Sequence, residues 1–189
     1  MRIKFPYLIH CAVLVAFTLT TVECAVFKFS NAICETYNHS LIEINECRLR
    51  AISRTRNTLN IHGTFTKAIN HVVVEGQILK KANTYLPWLY RARINCCRFI
   101  KSPYNPIAVL VFNLFKEFSN FNHTCPYVEF SNINHTCPYY NYVVIDGFYL
   151  RSEVLPHAIP SGDYLVNLTF IMDQAPRLNL NFYFEFKED

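Results

Sequence analysis

Residues 164–187 read YLVNLTFIMDQAPRLNLNFYFEFK, and this stretch contains two runs in which apolar and polar side chains alternate. Successive side chains of a β-strand point to opposite faces, so this alternation predicts two strands that are each buried on one face. Asn167 begins an Asn-x-Thr sequon and falls on the polar face, where a glycan could sit. The predicted inward-facing residues are Tyr164, Val166, Leu168, Phe170 and Met172 in the first strand, and Leu178, Leu180, Phe182, Phe184 and Phe186 in the second.

Alternation with period two continues through much of the remaining chain. It is clear from Leu59 to Thr66, and less regular strands are predicted at about 41–53, 71–81, 87–97 and 142–151. Strands of this number and spacing, joined by short connections, favour an all-β sandwich. No linker or change of composition divides the chain, so we expect a single domain over residues 25–189.

One segment has a helical pattern instead. Apolar residues recur at spacings of three and four between Ile107 and Phe118. Asn105 is a favourable N-cap residue, and Pro106 suits the first helical position. The pattern predicts one amphipathic helix at about 106–118.

The first 24 residues predict a signal peptide. Arg2 and Lys4 precede an apolar run from Tyr7 to Thr20, which at roughly 14 residues is short for a membrane span of about 20. An uncleaved anchor is the alternative. No later segment reads as a transmembrane helix, so we expect a secreted, extracellular protein.

Composition favours a globular chain, since 51% of the 189 residues are hydrophobic and 17% are charged. The formal net charge of +4 is weak support for a polyanion partner, and we expect no nucleic-acid binding. Several arginines could form a patch for an acidic group, although solvated strand faces are the favoured interpretation. These arginines are Arg48, Arg50, Arg54, Arg56, Arg91 and Arg93.

Signal cleavage would leave six of the eight cysteines, and an even number in a secreted chain favours disulfide bonds. Neighbouring residues on a strand point to opposite faces, so Cys96 and Cys97 are expected to form separate bridges, one each to Cys125 and Cys137. A bond between Cys96 and Cys97 is the strained alternative. The remaining bridge would join Cys34 to Cys47, which is one of 15 possible connectivities among six cysteines.

Residues 118–141 contain a tandem duplication, FSNFNHTCPYVE followed by FSNINHTCPYYN. Two copies of twelve residues are too few and too short for a repeat architecture, so a duplicated loop is favoured. The duplication adds one cysteine and one sequon. The predicted glycosylation sites of the chain are Asn38, Asn122, Asn134 and Asn167.

Catalytic and metal chemistry have little support in the sequence. It contains no nucleophile elbow, zinc-protease motif, phosphate-binding loop or dinucleotide-binding turn. The pairs His123-x-Cys125 and His135-x-Cys137 resemble zinc ligands, but thiols of an exported protein are expected to oxidise. We therefore predict no enzyme activity, no catalytic residues, no cofactor and no metal.

Several motifs together resemble a known family. They are Phe29-x-Asn31-x-x-Cys34, Cys47-x-Leu49 with Arg54, Tyr85-x-Pro87-x-Leu89-Tyr90, Cys97-Arg98-Phe99, Ser119-Asn120-x-Asn122-His123-Thr124-Cys125-Pro126-Tyr127 and Pro160-x-Gly162-x-Tyr164. The chain resembles an insect family of small secreted proteins of unknown function. That family is similar to the chemosensory B proteins and, more distantly, to the ML lipid-recognition and ganglioside-activator superfamily.

The resemblance implies an immunoglobulin-like β-sandwich or β-cup that holds a lipid or other hydrophobic small molecule and has no catalytic residues. The family pattern carries four cysteines, matching Cys34, Cys47, Cys97 and one repeat cysteine. Cys96 stands where the family commonly has an acidic residue, so the duplication could supply its partner. The candidate lining residues of the pocket are Trp88, Leu89, Phe148, Phe170, Phe182 and Phe184, with Phe112 and Phe115 near its rim.

The alternative function is that of an extracellular chemosensory or signalling accessory protein. In that case the partner is a receptor or another secreted protein rather than a small molecule. A solid core together with a stable protein partner in pull-downs would favour this alternative, and a buried cavity of several hundred cubic ångströms would favour the carrier.

Overall fold

The structure is a computed structural model that describes residues 26–67, 69, 71–120, 142–151 and 159–188. These residues form eight strands and two α-helices. The strands are β1 (Val26–Thr36), β2 (Ile42–Ala51), β3 (Asn57–Phe65), β4 (Val72–Lys81), β5 (Tyr85–Asn95), β6 (Tyr142–Phe148), β7 (Gly162–Met172) and β8 (Ala175–Lys187). The helices are α1 (Cys96–Lys101) and α2 (Pro106–Phe115), and a 3₁₀ turn (Lys116–Phe118) continues α2.

The strands form two antiparallel sheets. Five strands pair in the order β1-β8-β7-β4-β5, and three pair in the order β2-β3-β6. After the 3₁₀ turn, Ser119 adds an isolated bridge to Ile145 of β6. Side chains from both sheets pack against each other, so the predicted β-sandwich is confirmed.

Strands β7 and β8 pair as the alternation requires. Tyr164 lies opposite Phe184 and Leu168 lies opposite Leu180. Both ends of the inward face of β7 are fully buried, since Tyr164 is 0% exposed and Met172 is 1% exposed. Asn167 lies on the opposite face with its cross-strand partner Asn181.

The main core lies between the two sheets and under one helix. Both sheets contribute buried residues, and α2 adds Leu114. Removal of such side chains from water is the principal stabilising term of the fold. The buried residues are Phe29, Ile42, Leu59, Ile61, Leu114, Phe148, Leu178 and Leu180.

A disulfide joins Cys34 to Cys47, as predicted, with an S–S distance of 2.01 Å. Cys34 is in β1 of the five-stranded sheet, and Cys47 is in β2 of the three-stranded sheet. The bond therefore ties the two layers of the sandwich together near their common core.

The predicted strand at 87–97 ends early, because residues from Cys96 onward form α1. The side chain of Asn95 accepts a hydrogen bond from the backbone N–H of Arg98 at 2.9 Å. This N-cap satisfies one of the otherwise unpaired amides of the first turn and starts the helix. Cys96 and Cys97 are therefore helical residues rather than strand residues.

The two adjacent cysteines differ in oxidation state. Cys97 is disulfide-bonded. Cys96 is a free thiol, contrary to the prediction of a bridge, and its partial burial raises its pKa to about 11. The strained bond between Cys96 and Cys97 is not formed. The two repeat cysteines predicted as partners, Cys125 and Cys137, lie outside the described residues, as do the signal segment and two of the four sequons.

Candidate functional site

A pocket of about 430 Å³ lies between α1, α2 and their connection. Its lining is mostly apolar or aromatic, with one amide and one ammonium group. The lining residues are Phe99, Ile100, Pro103, Val109, Phe112, Asn113 and Lys116.

One wall of the pocket is a single face of α2. Val109, Phe112, Asn113 and Lys116 follow the spacing i, i+3, i+4, i+7, which places them in one stripe of a helix. The helix starts where predicted, since Asn105 Oδ1 accepts from the backbone N–H of Ala108 at 3.0 Å and a proline follows the cap. The predicted extent of 106–118 is covered by α2 and its 3₁₀ turn.

The helix is apolar almost all round, which differs from the amphipathic helix that was predicted. Its sequence, PIAVLVFNLF, has no charged residue and a single polar residue, Asn113. A helix of this kind is expected to be covered on every side. Yet Leu114 is the one residue of α2 that is buried. Apolar surface of the helix therefore remains in contact with solvent at the pocket.

The opposite wall comes from α1 and the segment that follows it. Phe99 is 6% exposed and forms the floor. Its ring meets Phe112 edge to face at a centroid distance of 5.8 Å and Tyr104 at 6.2 Å. These contacts fix the rings in the offset geometry that aromatic pairs prefer. The floor is thus held in place by ring contacts within the protein.

The polar end of the pocket is formed by Asn113 and Lys116. Within the described part of the chain, the Lys116 ammonium has no ion pair. The neighbouring carboxylate of Glu117 instead pairs with Arg151 at 2.5 Å. Among the described residues, the mostly apolar lining of the pocket therefore carries one positive charge that has no ion pair.

A row of ring contacts runs from the pocket into the core. Phe112 contacts Phe115 at 5.6 Å, and Phe115 contacts Phe148 at 6.5 Å. Phe148 in turn contacts Phe29 at 5.5 Å, and Phe29 contacts Phe182 at 6.4 Å. This continuous aromatic row therefore includes four of the candidate lining residues, Phe112, Phe115, Phe148 and Phe182. Of these four, only Phe112 lines the pocket.

The other candidate residues lie elsewhere. Phe170 packs against the main core. Trp88 and Phe184 flank Tyr164 at the other end of the sandwich, with centroid distances of 5.2 Å and 5.3 Å to its ring. The structure therefore does not bring all eight candidates into one site.

Leu89 was predicted as a lining residue but is 68% exposed. The register of β4 with β5 shifts between Gln77 and Ile78, so Leu89 and Tyr90 are extra residues on the edge strand. Such a bulge turns side chains away from the face that alternation assigns to them. The backbone of Leu89 also has a positive φ of 30°.

Sequence reasoning missed six of the seven lining residues. The i, i+3, i+4, i+7 stripe of α2 was visible in the sequence, but the same helix also carries apolar residues toward the core. The partner of that stripe, α1, was taken as strand. The missed residues are Phe99, Ile100, Pro103, Val109, Asn113 and Lys116.

The arginines singled out in the sequence do not form one patch. Arg48 and Arg50 share Glu46 on the three-stranded sheet. Arg91 and Arg93 lie near Glu75 on the five-stranded sheet, at 3.9 Å and 2.9 Å. These pairs belong to solvated strand faces, where ion pairs contribute little to stability.

Within the described ranges, no group of three or more His, Cys, Asp or Glu side chains is placed to hold a metal ion. In the same ranges, no helix is both long enough and apolar enough to cross a membrane.

Comparisons with known proteins give a match to one family model over part of the chain and a distant structural likeness. No curated protein matches the chain. The crystal structure of a Niemann-Pick type C2 protein from Japanese carpenter ant aligns with a TM-score of 0.32 and 13% sequence identity, covering 86% of this chain and 97% of that chain. The sequence model of the family described as "Protein of unknown function (DUF1091)" matches residues 74–129 and 127–166. All seven lining residues of the pocket fall inside the first matched segment, and the match agrees with the resemblance to a family of unknown function.

Proposed function

We propose that the protein is a non-enzymatic carrier that binds a lipid or another small hydrophobic molecule in the pocket between α1 and α2. The observation that carries the proposal is an uncharged ten-residue helix whose apolar surface borders a pocket of about 430 Å³. Pockets for small molecules span about 300–1,000 Å³ and are mostly apolar with a few polar groups.

Part of the apolar lining of the pocket is left in water. Each Å² of apolar surface removed from water contributes roughly 25 cal/mol. The ring of Phe112 and the side chains of Ile100 and Val109 are partly exposed and offer such surface to a ligand, whereas the Phe99 ring is already buried. Because Phe99 and Phe112 already hold each other edge to face, little ordering cost opposes binding.

The space between the sheets is the alternative place for a ligand. Phe29, Phe148 and Phe182 pack there against aliphatic side chains of both sheets. This packing favours the helical pocket as the binding site. The aromatic row that begins at Phe112 would form the inner limit of a bound chain.

An extracellular location is part of the proposal. The Cys34–Cys47 disulfide supports it, since structural disulfides persist in oxidising compartments. The relation to chemosensory proteins and the alternative of a protein partner stay predictions.

The first experiment is native mass spectrometry of the protein secreted from insect cells, followed by extraction into organic solvent. Titration with the neutral fluorescent probe N-phenyl-1-naphthylamine then measures binding directly. We expect a saturable fluorescence increase for the natural chain. Absence of both a co-purified apolar molecule and saturable probe binding would overturn the proposal.

Substitutions of residues that line the pocket test whether the probe binds there. Phe112→Ala removes apolar contact, and Val109→Trp fills the pocket, so we expect each to weaken probe binding by about tenfold or more. Tyr90→Ala is the control, because Tyr90 is 45% exposed on the edge strand and does not line the pocket. Circular dichroism confirms that each variant is folded. Equal probe affinity in all folded variants would place the ligand elsewhere and contradict the pocket assignment.

A further inference from the structure

We infer that the pocket selects an amphiphile with one anionic head group, such as a carboxylate, sulfate or phosphate, on a single apolar chain. The inference rests on the proposed function and names the chemical class of its ligand. The head lies beside Lys116 and Asn113, and the chain lies against Phe99 and Phe112.

The pocket is segregated into an apolar part and a polar end. Along α2, the lining residues change from Val109 and Phe112 to Asn113 and then to Lys116. Val109 and Lys116 are separated by about 10 Å along the helix axis. The opposite wall adds only apolar side chains, Phe99, Ile100 and Pro103. A ligand that matches this lining is apolar along most of its length and polar at one end.

The charge at the polar end of the pocket is positive, because Lys116 is the only charged residue among the lining residues that the structure describes. The lining includes no acidic residue, and α2 has none in its first turn. The Lys116 ammonium has no carboxylate partner among the described residues, because Glu117 pairs with Arg151. The Asn113 side chain likewise has no hydrogen-bond partner in that part of the chain, so its amide can donate to an anionic oxygen. A cationic head group would meet an unpaired ammonium instead.

The position of Lys116 at the C-terminal end of α2 determines which head-group charge the pocket prefers. Lys116 is the C-cap of α2, where the helix dipole places a partial negative charge. The Leu114 carbonyl at this end accepts from Arg151 Nη2 at 3.3 Å, but that guanidinium is paired with Glu117. The Lys116 ammonium is therefore the positive charge at this end that, among the described residues, is left for an anion. Replacement of Lys116 by a neutral residue should therefore change the preference between an anionic and a neutral head, rather than weaken all ligands alike.

The test compares ligands that share one chain and differ in the head group, each below its micelle concentration. Dodecanoate, dodecyl sulfate and dodecyl phosphate are compared with dodecanol and dodecyltrimethylammonium by displacement of N-phenyl-1-naphthylamine. The natural chain is compared with Lys116→Met. Lys101→Met is the matched control, because Lys101 ends the neighbouring helix but does not line the pocket.

The expected result is a change in selectivity. The ratio of the Kd for dodecanol to the Kd for dodecanoate should fall about fivefold in Lys116→Met, the upper range for an exposed ion pair. It should stay unchanged in Lys101→Met. Added salt should weaken dodecanoate but not dodecanol. The sulfate and phosphate arms show which anionic group fits best.

The outcomes separate the two proposals. If the natural chain neither binds the probe nor carries a co-purified apolar molecule, the proposed function fails. If it binds the probe but no dodecyl compound displaces the probe, the carrier function stands and the inference about the ligand class is overturned. If the compounds bind but the selectivity ratio is the same in Lys116→Met as in the natural chain, the carrier function stands and the anionic preference is overturned. If Lys101→Met lowers the ratio as much as Lys116→Met, general electrostatic attraction replaces a specific head-group site, and the inference is again overturned.

Discussion

Asn167 Nδ2 donates a hydrogen bond to Asn181 Oδ1 at 2.7 Å across the outer face of the five-stranded sheet. The same nitrogen donates to Asn179 Oδ1 at 2.9 Å. An N-linked glycan would replace one of the two hydrogens on that nitrogen. Asn167 lies on the outer face of the sheet, as the alternation predicts. Its amide nitrogen already makes two hydrogen bonds, to Asn179 and Asn181, which the sequence did not predict.

The first prediction concerns glycan occupancy. Asn38 Oδ1 accepts from the backbone N–H and the hydroxyl of Ser40 at 3.0 Å and 2.6 Å, which leaves the Asn38 amide nitrogen available in a connecting segment. We expect a glycan on Asn38 and little on Asn167. Enzymatic deglycosylation in heavy-oxygen water with peptide mass mapping measures both sites in one sample. Full occupancy at Asn167 with none at Asn38 would contradict this.

The second prediction concerns the disulfide between the sheets. It closes a separation of 13 residues, for which restriction of the unfolded chain contributes about 3 kcal/mol. The double variant Cys34→Ala with Cys47→Ala should therefore lower Tm by roughly 6–12 °C for a chain of this size. Thermal unfolding followed by circular dichroism gives the value. Cys96→Ala is the control, since that thiol is free, and an equal loss of Tm in the control would remove the assigned role of the bond.

Much of the sandwich follows from local alternation, and its exceptions have local causes. Strands β7 and β8 were predictable because their inward positions keep period two almost throughout. The bounds of strand β1 were not predicted, because its register shifts between Phe29 and Asn31 and this bulge breaks the period. A bulge of the same kind carries Leu89 out of its expected position.

The pocket between α1 and α2 could not be predicted from the sequence, for a different reason. The start of α2 was predictable, because an N-cap and a proline are local signals read within a few residues. The pocket was not, because it depends on how α1 meets α2 in space. The alternation of polar and apolar residues from Arg91 to Asn95 continues into Cys96 without a break, and the cap at Asn95 was outweighed by this strand pattern. Phe99 therefore had no assigned partner until the two helices were placed.

The third prediction concerns the reactivity of Cys96. Burial raises the pKa of its thiol from 9.0 to about 11, so the thiol stays protonated in the folded protein until the pH approaches that value. Only the thiolate is nucleophilic, and at pH 8 its fraction in the folded state is on the order of 1 in 1,000. We expect alkylation of Cys96 by iodoacetamide to be about 100-fold slower in the folded than in the unfolded chain at that pH.

The rate should rise about tenfold per pH unit up to the raised pKa. Because the folded state holds the proton more tightly than the unfolded state, the stabilising effect of this thiol is lost as pH rises from about 9 toward 11. Mass mapping of the Cys96 peptide after timed alkylation measures the rate, and the urea-unfolded chain is the reference. Equal rates in the two states at pH 8 would show that the thiol is neither buried nor protonated as described.

The fourth prediction uses the backbone of Leu89. A φ of 30° is unfavourable for a residue with a side chain and costs of order 1–3 kcal/mol. Glycine removes that cost but raises the entropy of the unfolded chain by about 0.4–1 kcal/mol. Little packing is lost, since the leucine is 68% exposed. We therefore expect Leu89→Gly to increase the free energy of unfolding by about 1 kcal/mol.

Leu86→Gly is the matched control, because Leu86 lies on the same edge strand, is 54% exposed and is not among the residues with positive φ. Urea unfolding of the two variants decides the matter: a loss of stability in Leu89→Gly as large as that in Leu86→Gly would show that the bulge holds no strain.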